Sequence, residues 1–285
     1  MTTPVPRVKE PHLAGRAYPA SGDALRDLVR RLLAAAGPPR PGTVAIVVPH
    51  GPYAQSGAVA ARGFAAARRP WRRAVVLAPS HFSALRGAAV LAIDGYRTPL
   101  GVVPIDGDAA VAIARPPLVR VNPAAFLREP GVEAELPLLQ AIAPECRLVP
   151  VLVGTLEPDD GHALAALLGP LLDGETLLVA SSDLVHYGRR FGYLPVPPTD
   201  AATVAAAVRR VDEAALACIA AGDAERFVAW TAAEGAPVCG RHPIEVLLRT
   251  LPAGARGAVL GHATSLDATG EHAVVTGFGA VGFAI

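Results

Sequence analysis

Apolar positions along this chain follow two rhythms, one helical and one extended. After Ser21, the residues Leu25, Leu28, Val29, Leu32 and Leu33 keep the i, i+3, i+4 spacing of a single helix face, and Gly37 with Pro38-Pro39 ends the run. Thr43–Val48 is a short, β-branched apolar run between Pro-Gly and Pro-His, the pattern of a strand buried on both faces. Ser56 reads as the cap of a small-residue helix over Gly57–Ala67, and Ala74–Ala78 as the next buried strand. Strand, helix, strand at this spacing predicts a βαβ unit with parallel pairing.

The middle of the chain is less regular. Ala88–Ile93 reads as a strand before the turn signal Arg97-Thr98-Pro99-Leu100-Gly101, and Glu133–Ile142 as one helix with Pro137 near its start. Leu148–Val153 and Thr176–Ser181 are again buried strands, with a helix capped by Asp160 over His162–Leu172 between them. Thr199 or Asp200 opens a long helix to Ala220, and Asp223 caps another to Ala232. Pro243 suits the first turn of a helix ending at Leu251, where its missing N–H would have no partner anyway. Gly257–Ser265 and His272–Ala284 close the chain as strands, antiparallel around the turn Asp267-Ala268-Thr269-Gly270. With no repeat and no linker between separate cores, the pattern predicts one α/β domain over residues 1–285. Its central sheet is expected to be mostly parallel, with helices on both faces.

Composition narrows the possible functions. The chain has 285 residues, 52% of them hydrophobic and 18% charged, with a net charge of +1. That suits a large core and gives neither a basic stripe for nucleic acid nor a polybasic membrane anchor. The one local excess, Arg68-Arg69-Pro70-Trp71-Arg72-Arg73, reads as a solvated loop. Three scattered cysteines, Cys146, Cys218 and Cys239, do not make a disulfide framework. The N-terminus has no apolar signal core, and no apolar run reaches the roughly 18 residues of a membrane span. A cytoplasmic protein with reduced thiols is expected.

The chemistry collects where strands end. His50 follows the first buried strand, His81 the second, and Ser181-Ser182-Asp183 with His186 a third; Cys239 lies in a turn before the late helix. In open α/β sheets ligands bind beyond the carboxyl ends of strands, so these residues can converge. Two imidazoles and a thiolate would leave a metal with open positions for substrate, water or O₂. Such a set suits Fe(II), with Cu or Zn as alternatives, zinc pointing to hydrolytic chemistry instead. Asp183 is expected to orient a neighbouring group, and His186 to act as a general acid/base or hydrogen-bond donor, both facing the pocket if a helical turn begins there. Tyr53 and Arg241 are substrate-binding candidates, Arg241 for an anionic group. His242 reads as a helix cap, and Cys146 and Cys218 as structural thiols. No Gly-x-Ser-x-Gly elbow, dinucleotide fingerprint or phosphate loop is present.

These segments, in this order, resemble the Memo family, including its bacterial AmmeMemoRadiSam system protein B members. The resemblance rests on Ala14-Gly15-Arg16-Ala17-Tyr18-Pro19, Pro49-His50, Ser56-Gly57, Pro79-Ser80-His81, Thr98-Pro99-Leu100-Gly101 and Glu135-Leu136-Pro137. It continues through Val149-Pro150-Val151-Leu152-Val153-Gly154, Ser181-Ser182-Asp183 with His186, and Cys239-Gly240-Arg241-His242-Pro243-Ile244. It implies a fold similar to class III extradiol dioxygenases (LigB-like), a metal held by His50, His81 and Cys239, and Asp183 and His186 in the same site. It also implies a functional link to a radical SAM protein and is compatible with a homo-oligomer.

The chain departs from the family pattern in several places, among them Ala124-Ala125-Phe126-Leu127-Arg128, which lacks the family's upstream histidine. Pro49-His50-Gly51-Pro52-Tyr53 stands for the family's Pro-His-Ala-Gly-Tyr, so Pro52 must reshape the first ligand's loop. Glu129-Pro130-Gly131 stands for Glu-His-Ser, which removes a polar pocket histidine. His262 stands for a tyrosine of the late strand and is expected to be a hydrogen-bonded strand histidine. The leading expectation is an Fe(II)-dependent oxygenase acting on a small molecule or modified amino acid. A zinc-dependent hydrolase or lyase, and a non-catalytic metal-binding interaction protein, are the alternatives.

Overall fold

The computed structural model describes residues 7–285; the N-terminal stretch read above for targeting lies largely outside them. Its strands are Val8–Lys9 (β1), Thr43–Val48 (β2), Arg73–Pro79 (β3), Ala88–Val90 (β4), Gly95–Thr98 (β5), Gly101–Pro104 (β6), Val119–Val121 (β7), Arg147–Val153 (β8), Thr176–Ser181 (β9), His186–Tyr187 (β10), Gly257–Thr264 (β11) and Val275–Ala284 (β12). The helices are Gly22–Ala35 (α1), Tyr53–Ala66 (α2), Gly107–Ile113 (α3), Pro130–Glu133 (α4), Leu136–Ile142 (α5), Asp160–Leu168 (α6), Ala201–Ala220 (α7), Ala224–Glu234 (α8), Arg241–Thr250 (α9) and Ser265–Thr269 (α10).

The main sheet runs β10-β12-β2-β9-β3-β8-β4-β7, with β11 also paired to β12; β1, β5 and β6 form a small second sheet. Successive residues of the central strands point to opposite layers, as the period of two requires. In β3, Ala74, Val76 and Ala78 pack toward the layer of α1, α2 and α5. Val75 and Leu77 pack toward the layer holding α6 and α9. The continuous apolar runs of the sequence are therefore strands covered on both sides. Among the described residues no helix is long and apolar enough to cross a membrane.

Several sequence expectations need correction. The sheet is mixed rather than mostly parallel. Its centre, β2-β9-β3-β8, is parallel, as is the β4–β7 pair at one edge, while β12 runs antiparallel to β2, β10 and β11, and β4 antiparallel to β8. The two histidine-bearing strands, β2 and β3, are not hydrogen-bonded neighbours, because β9 lies between them in register Val48↔Ser181 and Leu77↔Ala180. Helix α2 starts at Tyr53 with Pro52 at its cap, a turn before Ser56, since proline's φ is already helical; Ser56 instead donates to the Gly51 carbonyl at 2.7 Å. The single helix expected over Glu133–Ile142 is two, α4 and α5, because Pro137 offers no N–H to continue the first. Between β11 and β12 the chain forms α10 rather than a tight turn. Thr264 and Asp267 cap each other reciprocally, and Gly270 (φ 72°) ends the helix in the left-handed region.

Candidate metal centre

Strand order puts the chemistry together. His50 leaves β2, His81 leaves β3, and Ser181 ends the intervening β9. Cys239 is brought across by the turn before α9, where Gly240 donates its N–H to Ser182 Oγ at 2.9 Å. A Cβ on Gly240 would lie 2.4 Å from Ser182 Cβ and 2.8 Å from the Ser181 carbonyl, so only glycine lets this turn approach. One donor atom each from His50, His81 and Cys239 falls within 4.8 Å of the others, and Cys239 Sγ lies 3.5 Å from His50 Nε2. His50 is buried, Cys239 half-buried and His81 exposed, so the cluster opens on the His81 side.

Both histidines are fixed through the ring nitrogen that faces away from the cluster. His81 Nδ1 meets Glu129 Oε1 at 2.6 Å, while Glu129 Oε2 accepts the backbone N–H of His81 at 2.7 Å. The Nδ1–H tautomer follows, and Nε2 keeps its lone pair. His50 Nδ1 lies 2.9 Å from Ser181 Oγ, which also contacts the Gly131 carbonyl (2.8 Å) and Glu135 Oε1 (2.7 Å). Glu135 is fully buried, and burial pushes its pKa well above the ordinary carboxylate range. As a neutral acid it donates to Ser181 Oγ, the serine proton goes to the Gly131 carbonyl, and the remaining serine lone pair receives His50 Nδ1–H. Ser181 Oγ, the Gly131 carbonyl and His50 Nδ1 each then have a partner, Glu135 Oε2 has none among the described residues, and His50 Nε2 faces Cys239 Sγ. Burial, reinforced by the neighbouring His81, lowers the His50 pKa from 6.5 to about 3, so the imidazole is neutral at ordinary pH.

One nitrogen of each histidine and the Cys239 sulfur lie close enough together to hold one metal ion between them, and without an ion the Cys239 thiol is placed to share its proton with His50 Nε2. Burial, then the charge of Asp183, pushes the Cys239 thiol well above its ordinary pKa, so the sulfur becomes anionic only against a cation. A metal held by these three residues would keep an open coordination position on the exposed side.

The other sequence candidates take varied places. Asp183 is buried behind His50, its Oδ1 accepting the N–H groups of His50 (3.0 Å) and Gly51 (3.1 Å), so it braces the first ligand's loop. Burial raises its pKa. No helical turn begins after Asp183; the chain enters β10 instead, and His186 Nδ1 lies 3.0 Å from the carbonyls of both Leu184 and Pro237. Asp183 therefore makes no hydrogen bond to His186, and with the proton on Nδ1 toward the two carbonyls the ring lone pair sits on Nε2. Tyr53 is buried and donates its hydroxyl proton to the Ala134 carbonyl at 2.8 Å. Arg241 is exposed and lines a pocket of about 190 Å³ with Val228, Thr231, His242 and Glu245. His242 sits inside the first turn of α9, which Gly240 caps, and its Nδ1 is 3.3 Å from Glu245. Cys146 and Cys218 are buried. His262 pairs with the buried Asp212 at 2.8 Å, and Asp212 also accepts the Val185 N–H.

Glu129, Ser181 and Glu135 were not singled out from sequence as supports of the ligands. In Glu129-Pro130-Gly131 the family's histidine is replaced, while the glutamate retained beside it carries His81. Pro130 opens α4, and a Cβ on Gly131 would sit 2.8 Å from Ala78 Cβ, so the segment passes close under the histidines.

Comparison with known proteins agrees over nearly the whole length. The family model described as Memo-like protein matches residues 9–281. A MEMO1 family protein of Aquifex aeolicus is 29% identical over 276 residues, covering 95% of this chain and 97% of that one. Protein MEMO1 of Xenopus tropicalis is 30% identical over 247 residues, covering 84% and 83%. A crystal structure of an uncharacterized Escherichia coli K12 protein shares the fold at TM-score 0.51 and 16% identity, over 84% of this chain and 98% of that one. The chain belongs to the Memo family.

Proposed function

We propose that this protein is a metal-dependent enzyme of the non-haem Fe(II) oxygenase type, with His50, His81 and Cys239 as ligands and a small organic molecule and O₂ as substrates. The observation that carries this reading is the convergence of the three donor atoms, with each histidine pinned at Nδ1 by a buried partner. Iron in a two-imidazole, one-thiolate set would supply one-electron chemistry and open coordination positions. The chain's own contribution is positional and protonic. Glu129 and Ser181 aim the two Nε2 atoms, and Asp183 holds the His50 backbone from behind. His186, fixed by two carbonyls, presents Nε2 to take a proton from a bound substrate. Cys239 contributes a negative charge that a neutral third ligand would not.

The thiolate also suits zinc, and a zinc-dependent hydrolase or lyase is the second reading. Anaerobic loading with Fe(II) or Zn(II), followed by oxygen-electrode and hydrolysis assays against phenols and amino-acid derivatives, separates the two. Substrate-dependent oxygen uptake with iron alone supports the proposal. Turnover with zinc and no oxygen uptake overturns it in favour of the hydrolase. No metal uptake by the parent removes both enzyme readings.

A further inference from the structure

The loops that adjoin His81 and His186 carry an unbalanced charge. Residues 80–86, 124–131 and 188–198 contain Arg86, Arg128, Arg189 and Arg190 but a single acid, Glu129, which is turned inward onto His81. Arg86 is compensated by Glu157. Among the described residues, Arg128 and Arg190 have no carboxylate within ion-pair reach, and both are exposed.

Those two arginines are placed alike. Phe82 follows His81, with ring centroids 6.4 Å apart, and is 57% exposed; the Arg128 guanidinium lies 5.1 Å from its ring centroid. Phe191 packs edge-on against His186 at 4.9 Å, and the Arg190 guanidinium lies 4.4 Å from its centroid. His81 and His186 therefore each adjoin a phenylalanine that carries an arginine with no ion pair among the described residues. Phe191 is presented on a short turn between Gly188 and Gly192, both with positive φ. Stacking on an aromatic face holds the plane of a guanidinium and leaves its N–H edge free for a carboxylate or phosphate. An exposed phenylalanine beside a candidate ligand offers a flat apolar surface that solvent alone would not favour.

From this we infer that the substrate is a planar organic anion, its flat body against Phe82 or Phe191 and its anionic group on Arg128 or Arg190. The inference rests on the metal-centre reading and names the substrate class of that same site. A neutral or cationic molecule of the same shape gains nothing from the two guanidinium groups, so charge is the discriminating property.

The test uses the full chain loaded with Co(II) and three probes of similar shape: benzoate, benzyl alcohol and benzylamine. Binding is read from the visible cobalt spectrum and by calorimetry at constant ionic strength. Benzoate is expected to bind at least tenfold more tightly than benzyl alcohol, with benzylamine weakest. Arg128→Gln or Arg190→Gln is expected to weaken benzoate about tenfold without altering cobalt uptake, and the corresponding lysine variant to recover part of the loss. Equal binding of the three probes, no benzoate binding, or two glutamine variants indistinguishable from the parent overturns the inference. If cobalt is not taken up, the metal reading fails by itself. The benzoate titration on metal-free protein, with the same variants, then still decides the cationic rim.

Discussion

Replacing Glu129 by glutamine tests how the second histidine is held. The carboxylate accepts the backbone N–H of His81 at 2.7 Å and its Nδ1–H at 2.6 Å through separate oxygens, with Gly131 N at 3.4 Å. Glutamine has nearly the same shape but one acceptor oxygen, so its amide nitrogen must face one of two donors. The ring then either turns or exchanges tautomers, and Nε2 no longer has a fixed lone pair. Loss of such a histidine support typically weakens metal affinity about 10–100-fold, or about 1.4–2.7 kcal/mol. The lost charge-assisted bond in a buried place adds a folding cost of about 1–3 kcal/mol. The assay is a Zn(II) or Co(II) competition titration against a chromophoric chelator, with urea unfolding of the metal-free proteins as the stability control. A variant that binds metal within about twofold of the parent, while losing the expected stability, would show Glu129 to be structural and refute the reasoning.

Glu135 should behave differently, because its place requires a donor rather than a charge. Glu135→Gln keeps an N–H for Ser181 Oγ and is expected to bind metal within a few-fold of the parent. Glu135→Leu frees the serine and is expected to lose about tenfold; equal affinities in that titration would remove Glu135 from the His50 relay. His50 has a folded pKa of about 3 against 6.5 unfolded, so its neutral burial supports the fold fully above pH 6.5 and progressively less as pH falls toward 3. Metal-free parent is expected to lose about 1.4 kcal/mol per pH unit relative to His50→Gln in the middle of that window. Parallel urea-stability curves for the two proteins would contradict this. Gly277→Ala places a Cβ 1.9 Å from Asp212 Oδ2, the oxygen that meets His262 Nε2. It should destabilise by about 1–3 kcal/mol or more in thermal or urea unfolding, and an unchanged midpoint would show that Asp212 can move.

The strands were legible in the sequence because burial on both faces writes itself as unbroken β-branched runs, as in Thr43–Val48 and Thr176–Ser181. Their order was not. That β9 inserts between β2 and β3 depends on where a crossover lands, which local pattern does not encode. Boundaries shifted where a side chain competed for a backbone group, as at Thr264 and Asp267 or at Pro52. His50, His81 and Cys239 could be named because strand ends and turns are where ligands can converge. Glu129 and Glu135 could not, since a buried acid acquires its role only from what it touches. Asp183 lay between these cases: its presence near the site was expected, but its partners proved to be two backbone N–H groups rather than His186.

The most direct measurement is cobalt titration of protein without a histidine tag, following the near-ultraviolet band that only thiolate-bound cobalt produces. Saturation at one cobalt per chain, with the band lost in Cys239→Ser and binding abolished in His50→Ala and His81→Ala, is the expected result. A band that never appears in the parent, or one that persists in Cys239→Ser, would contradict a centre built from His50, His81 and Cys239.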